Sequence, residues 1–535
     1  MRVALLSGYG PTFKNDVYCK GTLFDGTSPT HVETEYFASK GNFSLRELSF
    51  THNGVLYPLL RPLGQSVPHL TTLTLSAILQ EDEHDIYLVD TAGIWAGSPT
   101  QIPVSVDVVL LSTSFIWDMK TLALAMNYCA EISDGVPIIL GGQYANLRFE
   151  PILHRFPEIA AIVRGDAEEV LRDLLRKMAR GDDFLSTPNL AFKAPDGTIK
   201  INKTSEIDFV ELAAPAISGR YEAVPYESMR GCPFKCGFCS FPFASPHWRY
   251  RSATRIVEDW ASYTEANDAK LIKAMDSTFT VPPRRMDELM DLLPPLKVNW
   301  EAYSRANFIK NDETVDRLLN AGCRTLSIGF ESMSERTLES MVKKVTASQN
   351  RRAFEHLKKA GLGYRCSFMV GYPGETPADF QDTHDFLVND YEGHFTLHVF
   401  GMTDEAMPVW RDRARTGLTI SDEDDPDFSW SHEGMNAAEA RALNHNTLDA
   451  VRKSNTGAVL HIWQDRYQRY LIPSFNRREN LKIEKLVEMI AMLPRDYPDQ
   501  HHGLQRFDEL LADLAAFGVA RTDPATHNRS PLVSD

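Results

Sequence analysis

The sequence predicts an α/β protein in three parts. They are a doubly wound, Rossmann-like parallel sheet over residues 1–200, a partial (β/α)6 barrel of TIM type over 201–404, and a mainly helical region with a disordered tail over 405–535. Three observations predict it. Short apolar runs alternate with helical periodicity as far as about residue 405, the pattern of parallel strands joined by crossover helices. The series restarts after a linker near 186–220 that holds Pro188, Pro195, Pro215 and several Gly and Ser. Beyond 405 the texture changes to the acidic run "SDEDDPD", read as a solvated loop, and then to amphipathic helices.

In the first part the runs "RVALLS", "HDIYLVD", "VDVVLLSTS", "VPIILGG" and "IAAIVRGD" read as strands buried on both faces. Between them, Met119, Leu122, Met126 and Cys129 recur at helical steps, as do the apolar residues of "EEVLRDLLRKMA". The strand tips are small and polar: Ser112, Thr113 and Ser114 after one, Gly141, Gly142 and Gln143 after another, Gly165 and Asp166 after a third. One Gly-Gly pair only turns the chain, but three such tips at the carboxyl ends of an open sheet indicate a ligand crevice.

The second part offers "YESMRG", "AKLIKAMD", "VNWEAYS", "RTLSIGFES", "YRCSFMVGYPG" and "FTLHVFGM" as strands, the first five each followed by a helical pattern. A parallel barrel gathers its site at the strand carboxyl ends. In the third part, "NLKIEKLVEMIAML" and "LQRFDELLADLAAF" read as helices. Trp463, Tyr467 and Tyr470 share one helical stripe, read as packed core with a substrate wall as the lesser alternative.

Composition narrows the function. Lys and Arg number 56 against 72 Asp and Glu, and a net charge of −16 argues against a chain whose main task is gripping phosphate backbones. The opening apolar run is too short for a secretion signal, and no window approaches the ~18 apolar residues of a membrane span. A cytoplasmic protein with reduced thiols and no membrane partner is the expectation.

Against that background, three of seven cysteines, Cys232, Cys236 and Cys239, fall within "RGCPFKCGFCSF". Cys19, Cys129, Cys323 and Cys366 are scattered with no pairing pattern. Three close thiolates suit an iron–sulfur cluster or zinc. A closed zinc site wants a fourth protein ligand, and none is evident in sequence. Three thiolates can instead hold three irons of a four-iron cluster and leave one iron open to an exogenous ligand.

This spacing, with an aromatic residue, Phe238, before the third cysteine, resembles the radical S-adenosylmethionine enzymes. The resemblance implies a [4Fe-4S] cluster on Cys232, Cys236 and Cys239. S-adenosylmethionine would chelate the open iron and be cleaved to a deoxyadenosyl radical by an electron from a carrier such as flavodoxin or ferredoxin. It also places Gly329, Glu331 and Ser332 of "IGFES" beside the ribose and amino acid portion of that ligand, and Gly371, Gly374 and Glu375 of "MVGYPGET" beside its adenine. By themselves the two motifs are a strand end with a helix cap and a turn. Asp276 and Arg305 occupy other strand ends, as ligand contacts or as salt-bridge residues behind them.

The first part, joined to this barrel, resembles the cobalamin-binding domain of the cobalamin-dependent radical S-adenosylmethionine enzymes, over roughly residues 1–405 in all. The matching features are "PLGQSVPHLTTLTLSAIL", "LLSTSF", "ILGGQYA" and "VRGDAEEVL". The Asp-x-His-x-x-Gly motif of other cobalamin domains is absent from "SGYGPTFKNDVYCKG", and Gln143 stands where the family often has histidine. The implied reaction is methyl transfer to an unactivated carbon of a small molecule or amino acid. The alternatives are a cyclisation or ring rearrangement on the same cofactors, a radical enzyme whose first domain is only a scaffold, and a noncatalytic iron–sulfur or zinc module.

Overall fold

The computed structural model describes residues 1–10, 36–52, 54–59, 67–95, 97–221, 223–402, 404–422, 429–460 and 475–523. Trp463, Tyr467, Tyr470, Cys19 and the tail beyond 523 lie outside the described residues.

The expected apolar runs form the first sheet: β1 (Arg2–Leu6), β2 (Asp85–Val89), β3 (Val108–Ser112), β4 (Ile138–Gly141) and β5 (Ile159–Val163). Its order begins β2-β1-β3-β4-β5, all parallel, so the direction of winding reverses between β1 and β3. Both faces are covered, which is why these strands read as continuous apolar runs. Val3 and Leu5 enter the core on one face, Ala4 and Leu6 the core on the other. The helix Met119–Ser133 starts where Asp118 accepts the backbone N–H of Thr121.

The expected linker at 186–220 is in part sheet. β6 (Leu190–Lys193) and β7 (Ile199–Ile201) extend the first sheet antiparallel beyond β5. Asp196 and the positive-φ Gly197 supply the tight turn between them, so these turn residues mark a hairpin as much as a boundary.

The second sheet contains β8 (Ala223–Tyr226), β9 (Leu271–Ala274), β10 (Asn299–Arg305), β11 (Cys323–Glu331), β12 (Gly363–Val370), β13 (Gly393–Val399) and β14 (Ala458–Leu460), paired in that order and all parallel. Two expectations are corrected here. The first barrel strand precedes the expected "YESMRG", whose Met229–Arg230 pairs antiparallel with Arg249–Tyr250. A seventh strand, β14, comes from the region expected to be mainly helical.

One hydrophobic core joins the barrel to the last part of the chain and to residues 37–59. Leu48–His52 pairs with Val55–Pro58 and with Val519–Arg521, so this segment departs from the expected 1–200 unit. Phe37 and Phe43 pack on Phe507. Trp260, Phe279 and Trp300 pack ring against ring in the core on the helix side of the barrel sheet, and truncating Trp300 there costs about 3–5 kcal/mol.

The inner face of the barrel is open. On the outer face Trp300, Leu326, Ile328, Tyr364, Cys366 and Phe368 are buried. Facing inward, Glu301, Ser327, Gly329, Arg365, Ser367, Met369 and Thr396 are only partly buried, and Tyr303 is 43% exposed. A packed barrel would fill this space with branched apolar side chains; here it is a polar chamber.

Candidate functional site

The cysteine loop leaves β8 and is anchored before its first thiol. Asp276, just beyond β9, accepts from the backbone N–H of Ser228 at 2.7 Å, from that of Met229 at 2.9 Å and from the Ser228 hydroxyl at 2.5 Å. Burial pushes the Asp276 carboxyl up to about 6, against the opposing charge of Arg285 and these hydrogen bonds. Arg285 donates to the Ser228 hydroxyl at 3.2 Å and to the Phe279 carbonyl at 2.7 Å. Asp276 therefore positions the loop from below.

Gly231, at φ +76°, passes so close to the Ser245 and His247 carbonyls that a Cβ would stand 2.8 and 2.7 Å from them. Gly237 is pinned from two sides, donating to the Met341 carbonyl at 2.7 Å and accepting from the Val409 N–H at 2.9 Å. All six described cysteines are free. Three thiols on one loop suit a polynuclear cluster. Burial pushes the Cys239 thiol up to about 12, so binding there must displace a proton.

Arg305, at the end of β10, is 5% exposed and lies 3.9 Å over the Phe234 ring. Its Nη1 is 3.7 Å from Cys236 Sγ and its Nη2 donates to the Lys343 carbonyl. Lys343 in turn forms a buried ion pair with Glu331 at 2.9 Å and lies 5.4 Å from the Phe238 ring centre. Glu331 is left-handed at φ +65°, beside a break in the pairing of β11 with β12. A side chain at Gly329 would strike both the Glu331 carboxylate and the Lys343 ammonium. Ser332 is fully buried, with its hydroxyl 3.3 Å from that of Thr383 and accepting from the Ser334 N–H.

The turn after β12 is built by residues distant in sequence. The Gly371 N–H donates to Glu375 at 2.7 Å, and a Cβ on Gly371, at φ +90°, would meet the Trp430 ring at 2.6 Å. Burial pushes the Glu375 carboxyl up to about 8. His432 stacks on Trp430 and grips the turn from both ends: its Nδ1 accepts from Gly374 at 3.3 Å and from Gly434 at 3.0 Å, and its Nε2 donates to the Gly371 carbonyl at 3.2 Å. Burial holds the imidazole below its ordinary range, consistent with this neutral tautomer.

At the first sheet, a cleft of about 310 Å³ opens at the reversal between β1 and β3. Ser112, Ser114, Gly141, Gly142, Gln143 and Gly165 stand among its lining residues, over an apolar floor that includes Leu5, Leu75, Leu110, Ile139, Val163 and Leu171. Ser112 and Ser114 share a hydroxyl contact of 3.2 Å. Thr113 is turned away and buried, bonded to the Gly141 carbonyl and the Ala145 N–H. Gly142, at φ +97°, comes so close to the β3 tip that a Cβ would lie 2.6 Å from the Ser114 nitrogen. At Gly165, φ +80°, the same position is open space.

Asp166 joins the two sheets. Its carboxylate bonds Arg249 at 2.7 Å and Arg230 at 3.0 Å, and Arg230 also pairs with Glu168 at 2.5 Å and Glu227 at 3.0 Å. Burial would raise the Asp166 carboxyl, but the two arginines outweigh it and hold the group below its usual range. Asn146 adds a bond to the Ala244 carbonyl. Residues 241–249, which follow the cysteine loop, thus form the far wall of the cleft. Sequence reasoning missed Arg230, Arg285, Lys343 and His432, whose partners are set by the fold.

Residues 226–387 match the model of the Radical SAM superfamily. An uncharacterized methyltransferase of Pyrococcus horikoshii is 28% identical over 61% of this chain and 74% of its own. An anaerobic magnesium-protoporphyrin IX monomethyl ester cyclase of Rubrivivax gelatinosus is 27% identical over 50% of each chain, so this chain spans half of that relative's length. Among solved structures, the radical S-adenosylmethionine methyltransferase TsrM of Kitasatospora setae, with cobalamin and a [4Fe-4S] cluster bound, aligns with a TM-score of 0.58 at 12% identity, over 85% of this chain and 97% of that one. That likeness is one of fold. The matched segment runs from the end of β8 through the cysteine loop and all strands to β12, so the chain contains a Radical SAM domain, and its fold is like that of the cobalamin-bound structure.

Proposed function

We propose that the chain is a cobalamin-dependent radical S-adenosylmethionine C-methyltransferase acting on an unactivated carbon of a small molecule, amino acid or natural-product intermediate. The observation that carries this reading is the cleft at the carboxyl ends of β1, β3, β4 and β5, whose far wall is the segment immediately after the cysteine loop. Two cofactor sites with one common wall suit a reaction that needs both, because a simple nucleophile takes a methyl group directly from S-adenosylmethionine.

When bound, the cluster, S-adenosylmethionine and cobalamin supply the electron, the radical and the methyl carrier. The chain's own residues bind and orient them. Cys232, Cys236 and Cys239 hold the cluster, and Arg305 offsets negative charge at Cys236. Gly329, Glu331 and the Gly371–Gly374 turn line the S-adenosylmethionine side, with Lys343 fixing Glu331 and His432 fixing the turn. Ser112, Ser114, Gly142 and Gly165 offer polar groups and close backbone approach to cobalamin, while the apolar floor excludes water. Asp166 and Arg230 keep the two sites in register. A small iron–sulfur or flavin protein would supply the electron.

With methyl-labelled S-adenosylmethionine, reductant and substrate, label should enter the product together with S-adenosylhomocysteine. The similarity to a cyclase favours a second reading, ring formation on the same cofactors. A product of unchanged carbon count, formed with 5′-deoxyadenosine and without S-adenosylhomocysteine, would establish that reading and overturn methyl transfer.

A further inference from the structure

The barrel chamber carries an arginine that neither the cluster loop nor the S-adenosylmethionine side uses. Arg365 is the third residue of β12, between Tyr364 and Cys366, which are buried on the helix side of the sheet. Its side chain therefore faces inward. In register beside it stand Ser327 on β11 and, beyond that, Tyr303 on β10. Arg305, Gly329 and Ser367 form the next layer up, two residues or about 7 Å nearer the cysteine loop.

Among the described residues two other inward cations are ion-paired, Lys273 with Glu301 at 2.6 Å and Lys343 with Glu331, while Arg305 is taken up by the cysteine loop, facing Cys236 and the Lys343 carbonyl. Among the described residues Arg365 has a single polar partner, the Ser327 hydroxyl at 3.1 Å, and no carboxylate. A half-buried guanidinium with one neutral partner is an unbalanced charge on the inner face of the sheet. The fork of an arginine suits planar carboxylate or phosphate oxygens, and the exposed Tyr303 shows that the space beside it is free.

We propose that Arg365 anchors the substrate through an oxyanion, a carboxylate or a phosphate, so that the substrate class is anionic and its reacting carbon extends from Arg365 towards the cysteine loop. This rests on the reading of the barrel as the reaction chamber of a radical enzyme. That reading fails separately, if wild-type protein with dithionite does not cleave S-adenosylmethionine.

The test uses cluster-loaded full-length protein with potassium acetate or potassium phosphate as the probe, against potassium chloride at matched ionic strength. In wild type the oxyanion should raise the melting temperature by about 1–2 °C. Arg365→Gln should abolish the rise and Arg365→Lys should keep part of it, with iron content unchanged in both. Loss of the acetate effect alone assigns a carboxylate, loss of the phosphate effect alone assigns a phosphate, and loss of both assigns a general oxyanion site. An equal rise in wild type and Arg365→Gln overturns the proposal, as does no rise in wild type. A tenfold weaker S-adenosylmethionine dissociation constant in Arg365→Gln with the anion effect intact would give Arg365 to that cofactor's own carboxylate and also overturn it. If Arg365→Gln does not fold, Arg365→Lys decides: a rise equal to wild type with both anions counts against the proposal, and a diminished rise supports it.

Discussion

The two sheets build their sites from opposite materials. At the tips of the first sheet the chain presents glycines and hydroxyls over an apolar floor, and the charged residues that also line the cleft, Asp166, Glu168, Arg230 and Arg249, are taken up by ion pairs with one another. At the tips of the second, buried charge dominates: Asp276 beside Arg285, Glu331 with Lys343, and Arg305 over Phe234. A crevice of small residues holds a bulky ligand by shape and close backbone approach. Strand ends with fixed charges hold a loop and a charged cofactor in place. Shape and charge can therefore be broken independently, and four experiments separate them.

The largest effect belongs to the thiols. Replacing Cys232, Cys236 and Cys239 together by alanine should remove essentially all bound iron and sulfide, measured by elemental analysis, while cobalamin still copurifies. Loss of both cofactors would mean that the two sites are not independent. The reverse case is Gly142→Ala. Its Cβ has no room at the Ser114 nitrogen and its φ is left-handed, at about 1–3 kcal/mol of strain, so cobalamin retention should fall roughly tenfold or more at unchanged iron content.

His432→Ala leaves the N–H groups of Gly374 and Gly434 without their acceptor. At about 1–3 kcal/mol for an unsatisfied buried donor, S-adenosylmethionine should bind on the order of tenfold more weakly, read by equilibrium dialysis, with iron and cobalamin unchanged. The smallest effect is one of pH. Glu375 has a folded value of about 8, raised above its ordinary 4.5, so its protonated form stabilises the turn. That contribution is complete below about 4.5 and is lost as pH rises through 8. Between pH 7 and 9, S-adenosylmethionine affinity should decline a few-fold in wild type and stay flat in Glu375→Gln; equal slopes would remove Glu375 from this role.

Much of this was legible before any coordinates. A parallel strand covered on both faces must be apolar throughout, so "VVLLS" and "IAAIV" announce themselves, and residues of the tips that follow line the cleft. The cysteines were legible because one loop holds all three. What could not be read is contact across long stretches of chain. His432 meets Gly371 from 61 positions away, and Lys343 meets Glu331 through a left-handed residue that no local pattern demands. β14 is three residues long and carries no period. The β6–β7 hairpin hid behind turn residues that equally well describe a linker. Thr113 and Ser332 matched the expected motifs, yet their hydroxyls are bonded inside the protein, because a strand tip alternates between facing a crevice and facing its neighbour.

The grip of Val409 on Gly237 bears on when this protein can acquire its metal. One of the two backbone clamps on the cysteine loop is made about 170 residues after it, β14 comes later still, and Val519–Arg521, which pairs with Leu48–His52, later again. A polypeptide that stops short of Val409 would therefore carry every cysteine of the motif without the clamp on Gly237.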